Sequence, residues 1–482
     1  MGSIDANPAA GNAVAGTSVA GSSMAGAAIA GSPIDGTPMG ESAYPARAAA
    51  WYATFVLAML YWLSVLDRFI VSLLVDPIKR DLGLTDMQFG MLHGIGFALT
   101  YAVFGLICGA LADRYSRRWL VFAGVSVWSL ATAALGVAQN FWQLLIARLG
   151  VGAGEAALNP CATSMITDLF PRERLTLAMA VYTLGATLGG GTAFMFGGAL
   201  IDMISHVDFI SVPIIGDVRS WQAVFLMVGL PGLVLALMVF TIPDPVRRGR
   251  RANNQSWRDT YGGLLKFMNA RRRFFVCHYL GFGLASAIIA GCSTWYPAHL
   301  GRAFGWGAAQ IGMSLGVTLI IAGFVGKIIC GKAVDAMYQR GMRDAQLRWY
   351  AGALLIGTPI GIFATSSSDP YIFLAGIGTF LILIAPLPAC ANAALNLVTP
   401  NEMRGTGIAL FSASGNLIGA GTGPVLIAGA AQYFFDGSNT AIGSGMGVVI
   451  AVIGPLCAVL LFLGLPAMRA AMADAERAQP VR

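Results

Sequence analysis

The sequence predicts an all-α membrane protein with twelve transmembrane helices in two pseudo-symmetric six-helix bundles. Three observations lead there. First, 56% of the 482 residues are hydrophobic and only 11% are charged, with mean hydropathy +0.70; a soluble domain carries roughly 25% charged residues. Second, apolar stretches of about 20 residues, enough to cross a bilayer, recur at 49–75, 89–111, 118–138, 141–166, 176–201, 221–241, 273–300, 309–333, 348–366, 371–397, 405–432 and 443–466. Third, the two halves echo each other. "GALADRYSRR" (109–118) follows span 2 and "GKAVDAMYQR" (331–340) follows span 8. Gly185, Gly189 and Gly191 of span 5 match Gly415, Gly419 and Gly421 of span 11. Two parallel repeats around a central cavity are a transporter architecture.

Residues 1–46 are a low-complexity Gly/Ala/Ser segment with glycine every five residues from Gly11 to Gly36. Such a composition buries no core, so a disordered cytoplasmic tail is expected. The first bundle then covers 47–241, a cytoplasmic linker 242–272, the second bundle 273–467 and a C-terminal tail 468–482. Within the linker, "SWRDTYGGLLKFM" has the pattern of a short helix on the membrane surface.

Orientation follows from Lys and Arg. The loops on the side of both termini hold 19 of them; the opposite loops hold Lys79, Arg80, Arg219 and Arg302. The basic face is therefore expected to be cytoplasmic. This asymmetry accounts for the net charge of +7 without a nucleic-acid partner. The seven cysteines lie within spans, with no ligand-type spacing, and read as packing residues. No cofactor and no metal are expected, and the chain is expected to be a monomer in the lipid of an inner bacterial membrane.

The string "GMSLG" (312–316) matches the G-x-S-x-G of serine hydrolases. It falls inside span 8 with no strand-to-helix elbow, so small residues for helix packing explain it better. A transporter, not an enzyme, is expected.

Five charged residues lie well inside spans: Asp67, Arg68, Arg148, Glu155 and Lys327. Each costs at least a few kcal/mol unless paired or hydrated. Arg148 and Glu155, in "ARLGVGAGEA" (147–156), are seven residues apart, about two helical turns, so they share one face ~10.5 Å apart. Spans 1 and 4 run in opposite directions, which puts Asp67 and Arg148 at similar depth with Glu155 nearer the basic face. Separating a carboxylate from an arginine at low dielectric favours its protonated form, and re-pairing favours the charged form. A switch of Arg148 between Asp67 and Glu155 is expected; the plainer alternative is a static buried pair. Arg68 points ~100° away from Asp67, toward substrate or between helices. Lys327 is expected to snorkel to the basic interface. Tyr61, Tyr101, Tyr182 and Trp295 are candidates to line the cavity or to serve as packing, Asn392 and Asn396 to face a ligand or bond between helices. His93 is a candidate for an outer gate or a structural histidine.

"GALADRYSRR" resembles the G-x-L-A-D-R-x-x-R-R loop of the major facilitator superfamily, at Gly109, Leu111, Asp113, Arg114, Arg117 and Arg118, with a second copy that is degraded after Asp335. The resemblance implies a gating role: Asp113 caps or pairs near a helix end, and the arginines bridge the halves when the transporter opens outward. "LDRF" (66–69), "ARLGVGAGEA", "DLF" (168–170) and "SWQAVF" (220–225) resemble spinster-type lipid transporters. That resemblance implies proton coupling through Asp67, Arg148 and Glu155, with an amphiphilic lipid as substrate and protons and membrane lipids as partners. Small organic anions are the alternative substrate, since related organic-anion transporters share a similar span 1. The span 5 proline of drug–proton antiporters is missing from "GATLGGGTAFMFGG" (185–198).

Overall fold

The computed structural model describes residues 44–207, 209–212, 216–242, 244–245, 247, 257–400, 403–435 and 438–477. The expected N-terminal tail up to residue 43, and residues 248–256 of the expected linker, lie outside them. The apolar runs form helices because a bilayer core leaves the backbone no water to bond. In the first half these are α1 (Arg47–Leu73), α2 (Val75–Leu82), α3 (Asp86–His93), α4 (Ile95–Arg114), α5 (Arg117–Leu135), α6 (Phe141–Glu155), α7 (Leu158–Leu169), α8 (Arg172–Ile204) and α9 (Ser220–Leu237). A hairpin of β1 (Phe209–Val212) and β2 (Gly216–Arg219) precedes α9. Then come α10 (Trp257–Ala270), α11 (Arg272–Phe304), α12 (Ala308–Gln339), α13 (Ala345–Thr365), α14 (Pro370–Ile384), α15 (Leu387–Val398), α16 (Arg404–Phe435) and α17 (Ala441–Arg477).

Local chemistry sets the helix ends. Thr85 and Gln88 form a capping box at α3, Asn140 accepts from the Gln143 amide at α6, and Asp369 caps α14 ahead of Pro370. Gly83 (φ 64°) and Gly305 (φ 68°) close α2 and α11 in the left-handed region.

Among the described residues, eleven segments are long and apolar enough to cross a membrane. The twelfth crossing is α6 followed by α7, which is broken and carries Arg148, Glu155 and Asp168. The sequence pattern reads span 4 as one helix; the structure breaks it after Glu155. Pro160 explains the break, since its ring clashes with the carbonyl four residues back, that of Ala156. Span 10 breaks likewise between α14 and α15, at Ala385–Pro386.

Packing repeats between the halves. α1 packs on α8 as α11 packs on α16, α5 on α9 as α13 on α17, and α4 on α6 as α12 on α14. The halves meet where α8 packs on α12, and where α3 and α4 pack on α16. Glycines bring these backbones together. A Cβ at Gly312 would lie 2.2 Å from the Phe194 carbonyl oxygen, and one at Gly316 2.5 Å from that of Gly191. The "GMSLG" glycines are thus a helix-packing stripe.

The close approaches between halves sit toward the face opposite the basic one. At Gly109, Gly331, Gly405 and Gly415, on the basic side, an added Cβ would meet nothing within 4 Å. The halves are therefore joined toward the opposite face, and nothing opposes these four glycines toward the basic one. The surface helix α10 packs on α11 and α16, with Leu264 buried.

Candidate functional site

The buried charges gather where α1, α4, α5 and α6 converge. Arg68 Nε donates to Glu155 Oε2 at 2.5 Å, and the Ser64 hydroxyl donates to the same oxygen at 2.7 Å. The Arg68 guanidinium also lies over the rings of Phe97 (4.7 Å) and Tyr101 (4.8 Å). Asp67 points elsewhere: its Oδ2 accepts from the Thr132 hydroxyl of α5 at 3.3 Å. Asp67 and Arg148 are each only 2% exposed and Glu155 1%, so water does little to compensate them.

The expected pairing of Arg148 with Asp67 or Glu155 is not made in this conformation. Arg148 Nη2 contacts His93 Nδ1 at 3.5 Å and its guanidinium lies 5.2 Å from the Phe97 ring centre. Among the described residues its Nε and Nη1 have no hydrogen-bond acceptor, and Asp67 Oδ1 and Glu155 Oε1 have no donor. Side-chain direction decides the partner. Helical side chains lean toward the N-terminus. α1 starts at the basic face, so Arg68 leans down to Glu155. α6 starts at the opposite face, so Arg148 leans up to His93.

Next to this cluster, toward the basic side, stand the three candidate tyrosines. Tyr61 and Tyr182 stack at 5.0 Å with 19° between rings. Asn159 links Tyr182 to Tyr101: its Nδ2 donates to the Tyr101 hydroxyl at 3.1 Å, and the Tyr182 hydroxyl donates to its Oδ1 at 2.6 Å. Tyr182 is buried and Tyr61 and Tyr101 half-buried. Trp295 does not line a cavity; it is fully buried and its Nε1 donates to the Pro424 carbonyl at 2.9 Å.

In the second half Asn396 is exposed, and Asn392 keeps a buried Oδ1 with no partner among the described residues. Lys327 does not snorkel. It donates to the Thr187 hydroxyl of α8 at 2.6 Å. The same lean explains this, because α12 starts at the opposite face and directs Lys327 away from the basic interface.

In this structure the arginines of the motif loop bond within their own half. Arg117 is buried and holds Asp168 of α7 in an ion pair, donating also to Ser164 (3.1 Å) and to the Pro245 carbonyl (2.5 Å). Arg118 donates to the Ile242 carbonyl at 3.3 Å and lies 5.8 Å from the Phe240 ring centre. Both tie spans 3, 4 and 6 of one half; neither reaches the other half here. Arg114 and Asp335 are exposed, with no hydrogen bond or ion pair among the described residues, and the face at Gly109 is unopposed. The side chain of Asp113 lies outside the described residues.

Sequence reasoning passed over a second set of charges, at the opposite face. Arg302 of α11 bonds Asp76 of α2 (2.7 Å) and Asp86 of α3 (2.8 Å), and Lys79 bonds Asp86 at 2.5 Å. This cluster joins the halves on that side. Its members lie at loop ends, where charge is unremarkable in a sequence. Thr132, Asn159 and Ser64 were missed for a related reason: polar residues in spans acquire a role only through the neighbour they meet.

Twelve crossings in two halves that repeat one packing pattern make up the scaffold. The family model described as Major Facilitator Superfamily matches residues 57–424. The chain belongs to the major facilitator superfamily. Among the relatives it is similar to are spinster proteins. It is 28% identical to human protein spinster homolog 1 over 268 residues, covering 54% of this chain and 47% of that one. It is 27% identical over 413 residues to an MFS-type efflux pump of Mycolicibacterium smegmatis, covering 85% of this chain and 91% of the relative. Its fold matches the crystal structure of a bacterial homolog of the human lysosomal transporter Spinster, inward-facing and unoccupied, with TM-score 0.72 and 22% identity over 90% of this chain and 99% of that one. The protein is an integral multi-pass membrane protein and a transporter.

Proposed function

We propose that this transporter moves an amphiphilic lipid of lysophospholipid or sphingoid type by proton-coupled alternating access. In this reading both termini are cytoplasmic, the membrane is the inner membrane of a bacterium, and the basic face opens into the cytoplasm. The two halves correspond to 47–241 and 273–467, joined by the linker 242–272.

The observation that carries the reading is Arg148, buried with two donor nitrogens that no described residue accepts from. An anionic or zwitterionic head supplies those acceptors. Spans 7–12 hold one charge well inside, Lys327, among mostly Ala, Gly, Ile, Leu and Phe, which suits a tail. Asp67 and Glu155 each keep one carboxylate oxygen without a donor among the described residues, so each can take a proton without first breaking a bond at that oxygen. Protonation of Glu155 weakens its hold on Arg68, and protonation of Asp67 removes a competitor for Arg148. Tyr61, Tyr101, Tyr182 and Asn159 stand beside Arg68 as contacts for the head, and Asn392 and Asn396 are its assigned contacts in the second half.

Two arginines on one wall also suit a small organic anion, the second reading. Uptake of lysophospholipids, hexuronates and dicarboxylates into proteoliposomes separates the two. Saturable lysophospholipid transport that dissipates a proton gradient supports the lipid reading; transport of the short anions alone overturns it. The alignment with a relative described as an efflux pump favours export over import, and inside-out vesicles read the direction.

A further inference from the structure

We infer that His93 is a positioning residue that parks Arg148 while the opposite face is sealed, and so ties the state of Arg148 to the seam between the halves. Arginine has donors and no acceptor, so His93 Nδ1 must accept in the 3.5 Å contact. No other acceptor for Arg148 exists among the described residues.

On its other side His93 is built into the seam. Its ring stacks on buried Phe89 (6.2 Å, 10°), and Phe89 meets Trp295 of the second half edge-on at 5.9 Å. His93 ends α3, and Gly94 after it leaves the helical region (φ −81°, ψ −84°). A Cβ at Gly94 would lie 2.6 Å from the Gly421 carbonyl oxygen of α16, and one at Gly90 3.0 Å from that of Pro424. Backbone meets backbone there with no slack. When a carboxylate or a ligand head takes the guanidinium, the Nη2 contact leaves His93. The half-buried imidazole then has an acceptor to satisfy, at the point where span 2 touches span 11. Loss of the contact favours separation of that seam.

The test reads distances without substrate. Spin labels at His206→Cys and Asn439→Cys stand exposed at the opposite face, one in each half, while the seven native cysteines are buried. Losing one net hydrogen bond of about 1 kcal/mol corresponds to about fivefold in a population ratio. His93→Ala, and His93→Phe, which keeps a ring on Phe89 but removes the acceptor, should each raise the long-distance population about fivefold. His93→Asn, whose amide oxygen replaces Nδ1 as acceptor, should restore the wild-type ratio. His93→Ala combined with Arg148→Ala should go no further than Arg148→Ala alone, because both remove the same contact. An unchanged distribution, additive shifts, or no rescue by asparagine overturns the proposal. The inference rests on Arg148 acting as a switch. Because no substrate is present, its failure is distinguishable from failure of the lipid reading.

Discussion

Arg68 holds Glu155 at 2.5 Å, while Arg148, two turns away from Glu155 on the same helix, forms no ion pair among the described residues. The two arginines of the cluster are therefore not equivalent. Removing one partner of a buried pair costs about 3–5 kcal/mol, because the survivor is left uncompensated. Glu155→Ala should lower thermal stability in detergent more than the double variant Arg68→Ala/Glu155→Ala does. Fully additive losses would show that the two side chains act independently.

Glu155 is the carboxylate closest to the basic side of the cluster. Glu155→Gln keeps the volume and the oxygen facing Ser64 but not the titration. It should still bind substrate while the pH dependence of transport flattens. Asp67→Asn and Arg148→Ala should abolish transport in protein that inserts and folds. A Glu155→Gln pH–rate profile superimposable on wild type removes this residue from proton coupling.

The fold was legible because bilayer physics leaves a hydrophobic run of 20 residues few choices. Breaks within runs were harder to see: Pro160 and Pro386 stand in plain view, yet apolar composition continues across them. In the site, residue types and depth were readable from helical rise alone. Partners were not. Whether Asp67 meets Arg148 or Thr132 depends on rotation of α1 and on side-chain lean, and both are fixed by packing between spans far apart in sequence. The Arg302 cluster was invisible for the same reason, since Asp76 and Asp86 lie more than 200 residues from their partner.

Arg117 is the buried arginine of the motif loop, with Asp168, Ser164 and the Pro245 carbonyl around it. Arg117→Ala leaves Asp168 without this buried partner and should cost about 3–5 kcal/mol. Arg114, exposed three residues earlier, should change stability by less than about 0.5 kcal/mol. Unfolding midpoints of the two variants decide it, and equal midpoints would place Arg117 outside the packing of the first half.

Arg302 bridges to Asp76 and Asp86 across the seam, with side chains 20%, 38% and 22% exposed. Partly exposed ion pairs contribute about 0.2–1 kcal/mol each, so this cluster biases the equilibrium rather than locks it. Arg302→Ala should raise the population open at the opposite face by up to about tenfold, at roughly 1.4 kcal/mol per decade. Arg302→Glu should raise it further, because a third anion then meets two. Label distances across that face report both, and a charge-reversed variant as closed as wild type would mean that apolar and glycine contacts alone hold the seal.

The proposed lipid reading sets the last expectation. In it Arg148 holds the head, and a longer tail extends along spans 7, 8, 10 and 11. Each buried methylene contributes about 0.8 kcal/mol, close to fourfold in affinity. Across a series of lysophospholipids, affinity should climb steadily with acyl length and level off once the wall is covered. Arg148→Ala should weaken every member by a similar factor, since it removes the head contact and leaves the tail contact alone. A slope that survives in Arg148→Ala with a uniform offset locates head and tail separately. A flat series in the wild type, with tight binding of a short carboxylate, would transfer Arg148 to the organic-anion reading.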